Sequence, residues 1–381
     1  MDLPPSRGAR GKMGSRRENW IARMGKISRR RFLGSAAAGA ATATLATDLL
    51  SAKDTDARAG TSKHTPASVR QIAAVRYAPA GWYMKDHCLV GKDGRWHLFA
   101  PLGKVGASWE DPGSEETAEH MVSADLVDWQ HLGTAVAASR RDGCFDKTMG
   151  GIAPHVIYHD GTYFMFYAGW AFPSKRPHFN LAGCRMAIGL AISRDLDHWE
   201  KPEEFAKDGL GVLGTDCCVV RDDCHGRWLM YTWTGQTPVY QSRDLRRWSP
   251  AGTALTEADL SGGASAGGPG ESPFVMKHPR SGKWIVLLNG GCSVSDNPLR
   301  FPPIRPYSFK SGWQPVAGAK ASGAWGDGTN CQADDDGAGF AHEVLECSGQ
   351  WYMTGVVGRD GQFKLKFTPL AWTADSLCLA E

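Results

Sequence analysis

The sequence predicts an all-β chain folded as a five-bladed β-propeller with four-stranded antiparallel blades. A phrase of glycine, any residue and an aromatic residue, followed by apolar residues, recurs at intervals of 56–67 residues, beginning at Gly94, Gly161, Gly226, Gly282 and Gly349. A second phrase, Ser-x-Asp-Leu-x-x-Trp, follows the first three copies. Repeats of this length hold about four strands each and favour a radial array of sheets. A two-sheet sandwich is the alternative, but it does not require the same phrase five times.

Composition places the chain among globular proteins. Of its 381 residues, 42% are hydrophobic and 22% are charged. Residues 1–59 hold 12 of the 43 Lys and Arg and 5 of the 40 Asp and Glu, which leaves 31 basic against 35 acidic residues in the remainder. Nucleic-acid binders need a clustered basic surface, so nucleic acid is not expected as a partner. Outside the N-terminal segment there is no run of 18 apolar residues, so no membrane span is expected in the mature form.

The N-terminal segment has the features of an export signal. The run Ser28-Arg29-Arg30-Arg31-Phe32-Leu33-Gly34 precedes a weakly hydrophobic stretch that reaches Leu50, and Ala57-Arg58-Ala59 follows as a small-x-small cleavage signal. Consecutive arginines before Phe-Leu resemble a twin-arginine signal. We therefore expect residues 1–59 to engage the twin-arginine translocation machinery, residues 60–74 to form a linker, and residues 75–381 to form the propeller, exported to the periplasm or the exterior.

Each repeat is expected to begin with a β-hairpin. Every copy of the first phrase follows a short apolar run, and the turn between them contains Asp-Gly in the first two copies and Ser-Gly in the last two. Such turns between β-rich runs are hairpin signals. The second phrase is expected to end a strand and to fold its Leu and Trp back onto the sheet. Repeats four and five lack it, so their outer strands are harder to place.

Acidic residues recur just before the hairpins. The first strand of each propeller blade lines the central channel, so these residues should converge near the axis. The candidates are Asp86, His155, Asp216, Glu271 and the pair His342-Glu343, in blade order. A charged residue at the start of an otherwise apolar strand is costly unless it is used. Converging acids also push one another's pKa values apart, as paired-carboxyl glycoside hydrolysis requires.

At these positions the sequence resembles the five-bladed propeller glycosidases of glycoside hydrolase families 43 and 32, over residues 75–375. The resemblance rests on Asp86, the run Ile152-Ala153-Pro154-His155, Asp216, Glu271-Ser272-Pro273 and the Ser-x-Asp-Leu-x-x-Trp turns. It implies that Asp86 is the base or nucleophile, that Asp216 orients the substrate and tunes pKa values, and that Glu271 is the general acid. Trp82, His155 and His342 are expected to contact the sugar.

The sequence departs from these families at several positions. Lys85-Asp86-His87 stands where family 32 has Asn-Asp-Pro, and Thr215-Asp216-Cys217 stands where it has Arg-Asp-Pro. The absence of that arginine weakens a fructoside assignment. His155 stands where family 43 has an aspartate, so a fourth acid is missing.

The sequence therefore predicts an exported glycosidase acting on an arabinoside-, xyloside- or fructoside-like carbohydrate through two carboxyl groups. A catalytically silent carbohydrate-binding propeller is the alternative. No cofactor and no metal ligand are expected, although an axial calcium ion is conceivable near His342 and Glu343. A redox enzyme is disfavoured because there is no dinucleotide-binding glycine fingerprint. Cys217, Cys218, Cys224 and His225 match no zinc spacing.

Overall fold

Five antiparallel sheets, one for each copy of the hairpin phrase, stand in a ring and confirm the predicted five-bladed β-propeller. The computed structural model describes residues 67–109, 111–172, 185–261, 270–289, 291–306, 339–358, 361–374 and 376–380. The predicted signal segment, residues 1–59, and residues 60–66 of the predicted linker lie outside these ranges. None of the described helices is long and apolar enough to cross a membrane.

The first three blades follow one another along the chain, after helix α1 (Val69–Ala73) and strand β1 (Arg76–Tyr77). Blade I contains β2 (Trp82–Met84), β3 (Cys88–Lys92), β4 (Arg95–Lys104), β5 (Thr117–Ser123) and β6 (Trp129–Ala137). Blade II contains β7 (Met149–His159), β8 (Thr162–Ala171) and β9 (Arg185–Ser193). Blade III contains β10 (Thr215–Asp222), β11 (Arg227–Trp233), β12 (Thr237–Ser242) and β13 (Ser249–Leu255).

The last two blades complete the ring. Blade IV contains β14 (Phe274–Lys277), β15 (Trp284–Leu288), β16 (Gly291–Ser295) and β17 (Arg305–Pro306). Blade V contains β18 (Phe340–Cys347), β19 (Gln350–Val357), β20 (Lys364–Trp372) and β21 (Leu377–Leu379). Outside the sheets are helix α2 (Glu257–Ser261) and two short 3-10 helices, Glu203–Phe205 and Asp223–His225.

The blades vary the four-stranded plan in ways that the pairing explains. In blade I, β2 and β3 both pair with β4, so they are two halves of one interrupted inner strand. In blade II the fourth strand is reduced to a single bridge between Ile192 and Glu200. In blade V, β1 and β21 share the outer edge of β20, so chain segments from opposite ends of the propeller form the fourth strand together.

The predicted hairpin turns form as expected. Asp93 and Gly94 have φ of 50° and 74°, and Asp160 and Gly161 have φ of 47° and 73°. Two consecutive residues with positive φ give the turn whose twist matches that of the flanking strands, which is why Asp-Gly is favoured there. The sequence signal therefore reflects a backbone requirement.

Apolar layers between neighbouring blades form the core. One layer joins Leu98 and Met121 of blade I to Tyr352 and Phe367 of blade V, with Ile72 of α1 packed against them. Similar layers join blades I and II, III and IV, and IV and V. The inter-blade packing holds the inner strands around the axis, where the charged residues predicted from sequence begin their blades.

Candidate active site

The inner strand of every blade is interrupted near its start by a residue in the left-handed backbone region. These five non-glycine residues have φ between 41° and 55°, and they are Asp86, Ala153, Asp216, Ser272 and Ala341. In blades II, III and V the strand pairing skips two residues at this point. A β-bulge of this kind bends the strand and re-aims its side chains. The same backbone feature, a left-handed residue near the start of the inner strand, therefore occurs at an equivalent position in each blade.

The bulges define which sequence positions are equivalent. Asp86 and Asp216 occupy the same place in blades I and III, as the sequence predicted. In blade IV that place belongs to Ser272, so Glu271 lies one residue earlier. In blade II it belongs to Ala153, and His155 lies two residues later. The predicted candidates are therefore not all at one level of the channel.

An open cavity lies where the interrupted strands meet, with a volume of about 320 Å³ that includes the solvent at its mouth. All five blades contribute to its lining, with Asp86, His155, Asp216, Ser272 and His342 among the residues that face it. Among the described residues, neither Glu271 nor Trp82 lines this cavity. Trp82 packs instead against the apolar layer between blades I and V. The structure thus brings together four of the six predicted site residues.

The two aspartates are partly buried and electrostatically linked. Burial and the neighbouring charge of Asp216 raise the pKa of Asp86 well above its usual value, while Lys85 acts in the opposite direction. Burial raises the pKa of Asp216 to about 6, although Thr215 and the backbone N–H of Ser272 donate hydrogen bonds to it. Because the charge of one carboxyl group affects the pKa of the other, the two groups do not ionise independently.

A buried ion pair stands beside Asp86. Lys85 Nζ lies 3.0 Å from Glu115 Oε1, with 6% and 5% of the two side chains exposed. The hydroxyl of Tyr83 donates a hydrogen bond to the same Glu115 oxygen at 2.8 Å. The ammonium also lies over the Tyr83 and Phe363 rings. This network holds the positive charge of Lys85 next to Asp86. Lys85 stands at the position where family 32 has asparagine.

Glu271 lies at the edge of the site. Its carbonyl oxygen accepts a hydrogen bond from the backbone N–H of Asn289 at 3.1 Å, and the Asn289 side chain accepts one from the backbone N–H of Ala341. The Glu271 backbone is therefore anchored between blades IV and V, immediately before the bulge residue Ser272. The residues that precede it, 262–269, lie outside the described ranges.

Two cavity histidines converge on Thr354. His87 Nε2 lies 2.6 Å from the Thr354 hydroxyl, and His342 Nδ1 lies 3.3 Å from its carbonyl oxygen. Burial lowers the pKa of both imidazoles to about 4, so both are neutral near pH 7. Neutral imidazoles can offer one donor and one acceptor to a polar ligand. His342 was predicted, whereas His87 was noted only as a departure from the family pattern.

A ring of five side chains follows the bulges. The first paired residue after each bulge is Cys88, His155, Cys218, Phe274 or Glu343, in blade order. We call this set the axial ring. Four members of the axial ring form a hydrogen bond with the backbone of the next blade. In each case the partner is the residue directly after the axial-ring residue of that next blade. The backbone N–H of Val156 donates to Cys88 Sγ, His155 Nε2 bonds the Val219 carbonyl, the N–H of Val275 donates to Cys218 Sγ, and the N–H of Leu89 donates to Glu343 Oε2.

Sequence reasoning missed several of these residues for identifiable reasons. Cys218 was considered only as part of a cluster that matches no zinc spacing, and Cys88 was not considered as a site residue. Lys85 and Glu115 lie 30 positions apart, so nothing in the sequence pairs them. Aligning the repeats on the apolar residues of their inner strands, instead of on their acids, would have placed both cysteines at the axis. That alignment was available from the sequence.

The fold and the site define a five-bladed propeller with a cavity at its axis lined by carboxyl groups that are buried or partly buried, and this architecture resembles the propeller glycosidases of families 43 and 32. A β-xylosidase, RS223, superposes with a TM-score of 0.55 at 14% identity, covering 79% of this chain and 96% of that chain. The family 43 enzyme of Xanthomonas citri, solved with xylotriose, gives 0.53 at 13% identity, covering 82% and 94%. The family 32 β-fructofuranosidase of Bombyx mori gives 0.52 at 16% identity, covering 78% and 62%.

Sequence comparison finds more limited similarity. The cell-wall β-fructofuranosidase of Zea mays is 30% identical over 199 residues, which is 48% of this chain and 31% of that protein. An insoluble β-fructofuranosidase isoenzyme of Oryza sativa is also 30% identical over 199 residues. The chain thus spans about a third of the length of the curated relatives that it matches. No protein-family model matches it.

Proposed function

We propose that this protein is a glycoside hydrolase in which Asp86, Asp216 and Glu271 carry the chemistry. The observation that supports this most directly is the placement of Asp86 and Asp216 on equivalent bulges of blades I and III, facing one cavity. Glycoside hydrolysis needs one carboxylate to activate water or to attack the sugar, and one carboxylic acid to protonate the leaving oxygen. The relatives in sequence and fold carry glycosidase names.

Each acid has a proposed role. Asp86 is the base or nucleophile, and the adjacent Lys85 ammonium favours its ionised form against the effect of burial. Asp216 orients the sugar, and its charge raises the pKa of Asp86. Glu271, anchored one residue before the blade IV bulge, is the general acid. His155 and His342 line the cavity and can offer hydrogen bonds to sugar hydroxyls. Trp82 packs against the apolar layer between blades I and V, so it would stack on a sugar only beyond the lining of this cavity.

We propose an arabinoside-, xyloside- or fructoside-like substrate. The fructoside reading draws on the names of the maize and rice relatives, and the pentoside reading draws on the β-xylosidase that shares the fold. Thr215 and Cys217 flank Asp216 in place of the Arg and Pro of family 32, which favours the pentosides.

The test is product release from xylan, arabinan and fructan oligosaccharides and from aryl glycosides. Wild type is compared with Asp86→Asn, Asp216→Asn and Glu271→Gln. The matched control is Asp142→Asn, which removes an exposed carboxylate from a loop. We expect turnover to fall by at least about 1,000-fold in Asp86→Asn and Glu271→Gln, with unchanged circular dichroism, because each change removes a proton-transfer or nucleophilic group. Full activity in both variants would refute the assignment.

A silent carbohydrate-binding propeller is the second candidate. The displacement of Glu271 by one residue from the equivalent position, and its absence from the lining of the described cavity, favour it. Saturable binding of an oligosaccharide with no product after prolonged incubation would establish this function.

We also propose that the protein is exported through the twin-arginine translocation machinery. The supporting feature is the run of arginines before Phe32 and Leu33. Residues 1–59 fused to a folded reporter should direct it out of the cytoplasm, and replacing Arg29 and Arg30 by lysine should prevent this. Export of the lysine variant at the normal rate would argue against this route.

A further inference from the structure

Three polar members of the axial ring turn their remaining ligand atoms toward one another. Cys88 Sγ and one atom each of His155 and Glu343 all lie within 4.8 Å of one another. His155 Nδ1 and Glu343 Oε1 are 3.7 Å apart. The three residues come from blades I, II and V, so they meet only because the propeller closes into a ring.

The contacts that these residues make with neighbouring blades leave one ligand atom of each directed at the other two residues. A carbonyl oxygen only accepts hydrogen bonds, so the bond to Val219 places the proton of a neutral His155 on Nε2 and leaves a lone pair on Nδ1. Glu343 binds the Leu89 N–H through Oε2, which leaves Oε1. Cys88 Sγ accepts the Val156 N–H. Backbone partners of this kind orient the ligands of metal sites. Burial and the Glu343 carboxylate raise the pKa of the Cys88 thiol, so a metal ion would have to displace the thiol proton.

The donor set indicates which metal is suitable. Calcium takes six to eight oxygen ligands, so one sulfur, one imidazole nitrogen and one carboxylate oxygen do not fit the axial calcium ion considered from the sequence. Thiolate, imidazole and carboxylate are the ligands of zinc. We propose that Cys88, His155 and Glu343 bind a zinc ion at the propeller axis.

The spacing is close to what zinc requires. Bonds of about 2.0–2.3 Å in tetrahedral geometry place ligand atoms about 3.3–3.8 Å apart. The His155–Glu343 separation of 3.7 Å already falls in this range. Three protein ligands leave the fourth position to water, on a ring whose members His155 and Glu343 also line the cavity. Cys88 is among the free thiols of the described chain, so its sulfur is not held in a disulfide.

The test is direct metal binding by the purified full chain. After treatment with a chelator, the protein is dialysed against equal concentrations of Zn²⁺ and Ca²⁺, and bound metal is measured by elemental analysis. We expect one zinc ion per chain and no stoichiometric calcium. Loss of a hydrogen-bond partner of a metal ligand alone costs about 10- to 100-fold in affinity, so Cys88→Ser and His155→Gln should weaken zinc binding by more than about 100-fold.

Cys292→Ser is the matched control, because Cys292 is also buried and free but lies outside the axial ring. It should bind zinc as wild type does. Substitution by Co²⁺ should give a thiolate-to-metal charge-transfer absorption that Cys88→Ser abolishes. These measurements record metal and not turnover, so they are independent of the proposed hydrolase activity.

Three outcomes would overturn the proposal. Stoichiometric calcium in place of zinc would show an oxygen-ligated site elsewhere on the axis. A chain that binds neither ion would show that the three side chains satisfy one another without a metal. Zinc binding that survives Cys88→Ser without loss of affinity would assign the ion to other ligands.

Discussion

His120 is a buried imidazole outside the cavity, packed between blades I and II. Its ring stacks on Phe99 with the centroids 4.5 Å apart, and Nε2 lies 2.9 Å from His97 Nδ1. Burial and the charges of His97 and His131 lower its pKa to about 4, and Asp197 from the blade II turn only partly opposes them. His120 is therefore neutral in the folded protein at any pH near neutrality.

Acid should destabilise the fold through this residue. Between the ordinary histidine pKa of about 6.5 and the folded value of about 4, the unfolded chain binds a proton that the folded chain does not, so stability falls as the pH decreases. We expect this residue to cost about 2 kcal/mol of unfolding free energy between pH 7 and pH 5. His120→Gln should remove that part of the loss in denaturant unfolding at the two pH values.

The exposed His198 provides the control for this prediction. A hydrogen bond to Asp195 raises its pKa, so it favours the folded state below its unfolded pKa and loses that effect as the pH rises. His198→Gln should therefore not reduce the acid sensitivity. An unchanged pH dependence in His120→Gln would mean that His120 binds a proton equally well in the folded and unfolded chains.

The site residues show where sequence reasoning succeeds and where it fails. Asp86 and Asp216 were predictable because each is an acid before a hairpin signal. The positions of Glu271 and His155 relative to the bulges were not predictable, because a bulge inserts residues that no sequence pattern marks and so changes which residue faces the axis. The left-handed residues themselves include Ala153 and Ala341, which have no special preference for that backbone.

At the level of single elements, the Ser-x-Asp-Leu-x-x-Trp turn is built in the same way three times. In each copy the serine hydroxyl accepts the leucine N–H at 2.9 Å, and the tryptophan indole donates to the leucine carbonyl. The leucines Leu126, Leu196 and Leu245 have positive φ and are at most 1% exposed. Burial of the leucine therefore compensates for its strained backbone, and the phrase predicted this element correctly.

Truncating one of these leucines should cost as much as a core mutation. Leu245→Ala keeps a Cβ, so the backbone strain is unchanged and only the buried apolar contacts are lost. We expect a loss of about 2–5 kcal/mol in the free energy of unfolding, measured by denaturant titration. Leu132, which is 47% exposed, provides the control, and Leu132→Ala should change stability by less than about 0.5 kcal/mol. Similar small effects for both variants would show that the turn does not anchor its blade.

For the whole molecule, the closure of the ring depends on the segment before blade I. Strand β1 pairs with β20 through Arg76–Lys366 and Tyr77–Leu365, and Tyr77 stacks on Trp129 of blade I with the centroids 5.6 Å apart. Helix α1, at the end of the predicted linker, adds the buried Ile72 to the layer between blades V and I. The sequence predicted five blades but not this closure, because β1 is only two residues long and carries no repeat phrase.

Removing this closing segment should loosen the propeller. A chain that begins at residue 79 lacks α1 and β1 and exposes the outer edge of β20. We expect a lower and less cooperative thermal unfolding transition than in a chain that begins at residue 67, which keeps both elements. Light scattering should also show self-association of the shorter chain, because an unpaired strand edge can pair with another copy. An identical transition in both chains would show that the ring closes without this segment.

The axial ring also bears on how such a molecule can change over generations. The bulges set the backbone at its five positions, so one substitution can replace a cysteine by a carboxylate or an aromatic ring by a histidine without moving a strand. The blades thus act as a fixed frame around a small set of exchangeable side chains. New side-chain chemistry at the axis therefore requires the exchange of single residues, whereas a change in the number of blades requires the gain or loss of a whole repeat.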